Sequence, residues 1–438
     1  MSRDLNAIAG RLSLRVPQRR SLEILERICE IAPPSKEPNL EAALKVIHDE
    51  YRTVTDFERN FPSLCFAVAT GVGKTRLMGA FIAYLNRTGR SRNFFVLAPN
   101  LTIYNKLIAD FTPGTPKYVF QGLSEFAMTP PVVVTGENYE SGLGVRPEAR
   151  TQLGLFRLGG EDAVHINVFN ISKINRDVRG AARSRTTPRI KRLAEYIGES
   201  YFDYLAGLPD LVLLMDEAHR YRADAGMNAI NELHPILGLE LTGTPFVEAQ
   251  GVTVYFKNII YGYSLAEAIK DGFVKEPAVA TRENFRADKL DDDQIQRIKL
   301  EDGIRLHEQV KADLQIYASE HSQPVVKPFV LVVSRDTKHA TELLELIKSP
   351  TFFNGEYADK VIEVHSALRG EEKEETVERL LAVERRDEPT EIVIHVNMLK
   401  EGWDVTNLYT IIPLRVANAR NLIEQSIGRG LRLPFGRK

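Results

Sequence analysis

The chain has 438 residues, of which 43% are hydrophobic and 26% charged, with a net charge of −2. That length holds two or three domains with real cores; no apolar run approaches a bilayer's thickness, and the N-terminal Met-Ser-Arg-Asp-Leu-Asn lacks a signal-peptide core. Two cysteines, Cys29 and Cys65, cannot build a zinc site, and the nine histidines show no metal-ligand spacing, so the expected setting is cytoplasmic.

Short apolar strands alternate with amphipathic helices along nearly the whole chain, which predicts an α/β fold with parallel sheets. The first apolar run, 64–68, leads into Val68-Ala-Thr-Gly-Val-Gly-Lys-Thr75 and then a helical pattern of Leu77, Met78, Phe81, Ile82 and Leu85. Strand, glycine-bearing loop and helix together make a helix N-terminus into a phosphate cradle. Thr70, Gly71, Val72 and Gly73 form the loop, and the glycines let backbone N–H groups approach phosphate. Lys74 can reach the β- and γ-phosphates of a nucleotide, and Thr75 can hold Mg²⁺. The strict form of this loop has glycine where Val68 stands. Further strands are expected at 94–98, 131–134, 164–169, 211–215 and 239–242, with surface insertions near 112–116 and 142–160.

Arg176, Arg179, Arg183, Arg185, Arg189, Lys191 and Arg192 crowd one short segment, opposed there by Asp177 alone. Each by itself suits a solvated surface; as a cluster they are candidates for contact with a phosphate backbone. The small net charge is no bar, because the field depends on where charges lie.

The strand Leu211–Met215 then delivers Asp216-Glu-Ala-His219 at its carboxyl end, where a parallel sheet builds its site. Alone, such a carboxylate pair suits a solvated turn equally well. Behind a phosphate loop, Asp216 can hold the Mg²⁺ shell and Glu217 can orient or deprotonate an attacking water. His219 would link this turn to the strand end Leu241-Thr-Gly-Thr-Pro245. The combination implies binding and hydrolysis of a nucleoside triphosphate.

From Tyr263 to Gly272 a connector begins, followed by a charged, helical-looking stretch over 283–321 in which Leu290-Asp-Asp-Asp293 is a solvated helix start. A second sheet is expected from strands at 329–333, 361–364, 391–396 and 409–413, with a helix from about Thr337 to Ile347. Gly402-Trp403-Asp404 stands at a strand-to-helix junction. Beyond it, Gln425, Gly428, Arg429 and Arg432 fall on one face of a helix. A guanidinium aimed at a γ-phosphate is the arginine-finger device. The expected organisation is an N-terminal helical segment over 1–45, a first lobe over 46–262, a connector over 263–325 and a second lobe over 326–438, with the nucleotide in the cleft between lobes.

In order, these segments resemble the superfamily 2 helicases and translocases, and more narrowly the helicase (Res) subunit of type III restriction enzymes and related bacterial defence ATPases. The carriers are the Ala-Thr-Gly-Val-Gly-Lys-Thr loop, Leu97-Ala-Pro-Asn-Leu-Thr102, the DEAH box at Asp216–His219 and Leu241-Thr-Gly-Thr-Pro-Phe246. Met398-Leu-Lys-Glu-Gly-Trp-Asp404 and Gln425–Arg432 complete the set. The resemblance implies two tandem RecA-like lobes and ATP with Mg²⁺ as cofactors. It further implies that Gln18, in Leu14-Arg-Val-Pro-Gln18, reads the adenine edge and that Pro99, Asn100 and Thr102 touch the nucleic-acid backbone. Thr242, Thr244, Gly402 and Asp404 would couple hydrolysis to strand movement. Gln425 would face the nucleotide; family pattern favours Arg432 as the finger and Arg429 as its companion, although the sequence does not separate them.

Res subunits normally continue into another strand and a nuclease domain, whereas this sequence stops a few residues after Arg432 and shows no Asp…Glu-x-Lys constellation. No nuclease activity is expected of these residues, and either a longer protein or a partner would complete the second lobe. The leading expectation is an ATP-driven motor on duplex DNA, with a partner supplying target recognition or nuclease, in an antiviral role. An RNA-directed helicase or sensor, and a scaffold whose assembly ATP regulates, are the alternatives.

Overall fold

The computed structural model describes residues 2–145, 163–171, 189–191, 193–194, 199–222, 224–249, 252–283, 285–286, 289–365, 376, 378–380, 382–396, 405–414, 431 and 433–434. The chain divides into two units, Met1–Ser264 and Leu265–Lys438.

The first unit opens with three helices, α1 (Arg3–Arg11), α2 (Val16–Ile31) and α3 (Leu40–Glu50). β1 (Ser63–Val68), α4 (Lys74–Arg87), β2 (Asn93–Ala98) and α5 (Leu101–Phe111) follow in alternation. α6 (Ser124–Met128), β3 (Val132–Thr135) and β4 (His165–Asn170) come next, then a short antiparallel pair, β5 (Leu193–Ala194) and β6 (Glu199–Ser200). α7 (Tyr201–Gly207), β7 (Leu211–Asp216), α8 (Asp224–Asn231) and β8 (Leu237–Thr242) continue the pattern. A second antiparallel pair, β9 (Phe246–Ala249) and β10 (Val252–Tyr255), precedes β11 (Ile259–Tyr263).

Seven of these strands form one parallel sheet in the order β11-β1-β8-β7-β2-β4-β3. Every residue of β1, β2, β4, β7 and β8 is buried, and β1, β2 and β7 accordingly read as nearly continuous apolar runs. α1 and α2 pack against α4. The core beneath includes Phe95 stacked on Phe169, their ring centroids 5.2 Å apart.

The six strands anticipated in this half are present to within two residues, and the sheet holds a seventh. β11 pairs with β1 from Cys65↔Ile259 to Val68↔Tyr263. Its mixed burial and its penultimate Gly262 interrupt the apolar run, so the sequence reads its last residue as the start of a connector.

The second unit contains α9 (Leu265–Lys270), α10 (Asp292–Glu320), β12 (Phe329–Val333) and α11 (Thr337–Lys348). β13 (Val361–Val364), β14 (Ile392–His395) and β15 (Leu408–Pro413) complete a parallel sheet ordered β13-β14-β12-β15. α10 begins at Asp292 rather than at 283, because Asp291 and Gln294 form a reciprocal cap there.

His307, Glu308 and Glu391 are the one group among the described residues with metal-ligand proximity. Lys311 Nζ (2.9 Å) and Lys360 Nζ (3.1 Å) already neutralise Glu391, whose pKa is held down at about 2 against the opposing effect of burial by hydrogen bonds from His307 and the two lysines. The group is therefore an ion-pair network bracing α10 against the start of β14. No helix among the described residues is long and apolar enough to cross a membrane.

Candidate nucleotide site

The sheet order makes β1, β8 and β7 successive neighbours. Their carboxyl ends therefore carry the 70–75 loop, Thr242–Thr244 and Asp216–His219 along one edge. With strands about 4.8 Å apart, side chains from the two outer strands can meet across the middle one.

The loop leaves β1 through two left-handed glycines, Gly71 (φ 83°) and Gly73 (φ 99°). Gly73 caps α4, whose first turn carries no acidic residue, so its N–H groups face no competing carboxylate of their own helix. A Cβ on Gly73 would lie 2.7 Å from Gln18 Nε2. Gln18 is 2% exposed and bridges two backbones: Oε1 accepts from Arg15 N (2.8 Å) and Nε2 donates to Gly73 O (2.9 Å). Arg15 Nη1 donates to Gly71 O (2.7 Å). The start of α2 thus clamps both glycine carbonyls of the loop. Sequence reading singled out Gln18 and missed Arg15, although the two sit in the same Leu14–Gln18 segment.

At the end of β7, Asp216 is 8% exposed and its pKa is pushed up to about 6, by burial first and then by the charge of Glu217, with Lys74 opposing. Glu217 takes a left-handed backbone conformation (φ 51°, ψ 54°), which costs a non-glycine residue roughly 1–2 kcal/mol. Its N–H donates to Asp216 Oδ1 (3.1 Å) and its Oε1 pairs with Lys74 Nζ. His219 Nδ1 lies 3.0 Å from Thr242 Oγ1 and 3.6 Å from Glu217 Oε2. Thr242 is fully buried; its hydroxyl accepts from Thr244 N (3.0 Å) and donates to Thr244 O (3.2 Å). Lys74, Glu217, His219 and Thr242 form a chain of contacts across all three strand ends.

Asp216 and Thr75 offer hard oxygen donors of the kind Mg²⁺ takes, beside a loop whose left-handed turn and packing on Gln18 require glycine at position 73. The donor set fits the ion. Pro99, Asn100 and Thr102 follow β2, the neighbour of β7 on the same sheet. Asn100 caps α5 by accepting from Ile103 N (2.9 Å), and the Leu101 side chain beside it is exposed. Lys106, one turn further along α5, also acts on the Asp216 charge. Arg176, Arg179, Arg183, Gly402, Asp404, Gln425, Arg429 and Arg432 lie outside the described residues.

A sequence profile described as type III restriction enzyme, res subunit, matches residues 20–247. Over 234 residues the chain is 24% identical to a candidate ATP-dependent helicase, IRC3, of Saccharomyces cerevisiae, covering 51% of this chain and 32% of that protein. Over 204 residues it is 23% identical to the type III restriction-modification enzyme EcoPI Res subunit of Escherichia phage P1, covering 43% of this chain and 20% of that one. The chain spans about a third or less of the length of these relatives. Among solved structures, an ATP-dependent type ISP restriction-modification enzyme, LlaBIII, bound to DNA superposes on 97% of this chain and 27% of its own, with a TM-score of 0.52 at 14% identity. That likeness is one of fold, two tandem RecA-like lobes.

Proposed function

The chain belongs to the family of type III restriction enzyme Res subunits, and from that premise we propose that it is an ATP-hydrolysing motor on duplex DNA, working with a partner that supplies target recognition or nuclease. The observation that carries the reading is the Lys74–Glu217–His219–Thr242 chain, which joins the phosphate loop to the strand end that would drive movement.

Backbone N–H groups of the 70–75 loop and the start of α4 would bind the phosphates, with Lys74 adding charge. Lys74 Nζ would exchange Glu217 Oε1 for phosphate oxygens, leaving the carboxylate to orient a water molecule and take its proton. Thr75 and Asp216 would hold Mg²⁺, which supplies neutralisation of the phosphate charge. Arg429 and Arg432 would supply guanidiniums to the transition state. His219, by sharing its contacts between Glu217 and Thr242, would report the state of the site to the Thr242–Pro245 strand end.

Steady-state ATP hydrolysis without nucleic acid and with duplex DNA, single-stranded DNA or duplex RNA tests the proposal, with Lys74→Ala as the blank. Stimulation by duplex DNA is expected. Stimulation by duplex RNA alone would assign the motor to RNA, since the 2′-OH is the group that separates the two polymers. No turnover under any condition would overturn the reading.

A further inference from the structure

Behind the Asp216–His219 turn lies a buried charge network that none of the motifs includes. Glu240, at the middle of β8, is 0% exposed. Its Oε1 accepts from Arg59 Nε (3.2 Å) and Ser63 Oγ (2.8 Å), and its Oε2 is paired with Arg222 Nη2. Arg222 ends the turn. Its Nη1 donates to Glu58 Oε2 (2.6 Å), its Nη2 also reaches Asn258 Oδ1 (3.3 Å), and its guanidinium lies 3.8 Å from the centroid of the Phe256 ring. Arg59 Nη1 donates to Tyr221 O (3.4 Å), a carbonyl at the end of the same turn.

Burying a carboxylate and two guanidiniums is costly, and such networks add little net stability compared with apolar packing. What they impose is direction, because a planar guanidinium meets a carboxylate in a fixed geometry. Here the direction matters at both ends. Four residues before Tyr221, Glu217 sits in a strained backbone conformation that only surrounding contacts can hold. On the other side, Phe256 N donates to Pro245 O (3.1 Å), directly after Thr244.

We propose that Arg222, locked to Glu240, is a positioning residue that holds the turn carrying Glu217 and His219 and ties it to the Thr242–Pro245 strand end. The proposal rests on the ATP-hydrolysing reading for its kinetic consequence, and on the network alone for its structural one. Arg222 touches no substrate; it acts through the backbone of the turn.

The test uses Arg222→Lys and Phe256→Leu in the full chain. Arg222→Lys keeps the charge and loses the fork; Phe256→Leu removes the stacked ring and keeps every ion pair. Amide hydrogen exchange over 218–221 is expected to accelerate ~10-fold in Arg222→Lys, with β7 and β8 unchanged. The kcat for ATP should fall ~10-fold while KM stays within about threefold, the pattern of a misplaced catalytic group rather than lost binding. Phe256→Leu should move both readouts in the same direction by a smaller factor. Unchanged exchange in the turn with unchanged kcat would overturn the proposal, as would exchange rising uniformly over the whole sheet. If the unsubstituted chain hydrolyses no ATP, the proposed function falls, and the exchange measurement still decides the positioning role.

Discussion

Lys74 is ion-paired with Glu217, so the cation the proposed reaction needs on phosphate is held by the carboxylate it needs on water. Both partners are largely buried, with side-chain exposures of 12% and 15%, and the pair closes the edge between the β1 and β7 ends. Binding of phosphate at the loop would break the pair and release both groups in one event.

Glu217→Gln should therefore separate binding from turnover. The amide cannot take a proton from water and holds Lys74 less tightly, so ATP affinity is expected to stay equal or rise while kcat falls ~100-fold or more. Fluorescent-nucleotide titration beside steady-state turnover checks this. Unimpaired turnover would remove Glu217 from its assigned role.

The raised pKa of Asp216 gives two linked expectations. A carboxyl whose folded-state value lies near 6, above its ordinary 3.8, binds a proton more readily folded than unfolded. Its contribution to stability is thus lost, not gained, as pH rises from about 4 through 6. Asp216→Asn should raise the Tm at pH 8 relative to the parent and lose that advantage near pH 4, while abolishing Mg²⁺-dependent turnover at both. Turnover of the parent should decline as pH drops through about 6, and rising Mg²⁺ should move that midpoint lower, because the ion favours the charged form.

Gly73→Ala places a side chain at φ 99° and within 2.7 Å of Gln18 Nε2. Loss of nucleotide binding is expected, with a stability cost of ~1–2 kcal/mol from the backbone conformation. Adding Gln18→Ala relieves the contact but not the φ, so the double variant should recover only part of the Tm.

Gln18→Ala alone decides what its amide is for. A residue that reads adenine would, once removed, lower ATP turnover more than GTP turnover. A residue that only clamps Gly73 O would lower both equally, and its equal effect on the two nucleotides would retire the adenine role.

Thr242→Val is nearly isosteric and deletes the hydroxyl that bonds both His219 Nδ1 and Thr244 N. The expected result is a larger fall in DNA-stimulated turnover than in unstimulated turnover, measured on the same preparation.

Much of this was legible in the residues. Runs such as Leu211–Met215 and Phe329–Val333 are buried on both faces, and that burial demands uninterrupted apolar side chains, so strands and their carboxyl ends could be located within a residue or two. The glycines of the phosphate loop were legible because left-handed backbone conformations exclude most other residues. β11 was not, because it is less completely buried and its apolar signal is diluted. Arg15 was not either, since nothing local to it signals a partner in the loop after β1.

The sequence by itself determined the α/β class, the two parallel sheets, the family and the residue types of the site, all of which depend on local pattern and motif spacing. The tertiary structure decided which strand ends are neighbours, and so which side chains meet. The order β1, β8, β7 is what puts Lys74 against Glu217 and His219 against Thr242. It also brings Arg59 to Glu240 across 181 positions of chain. Contacts of that range leave no periodicity or local propensity behind, because they are selected by the register and order of the sheet.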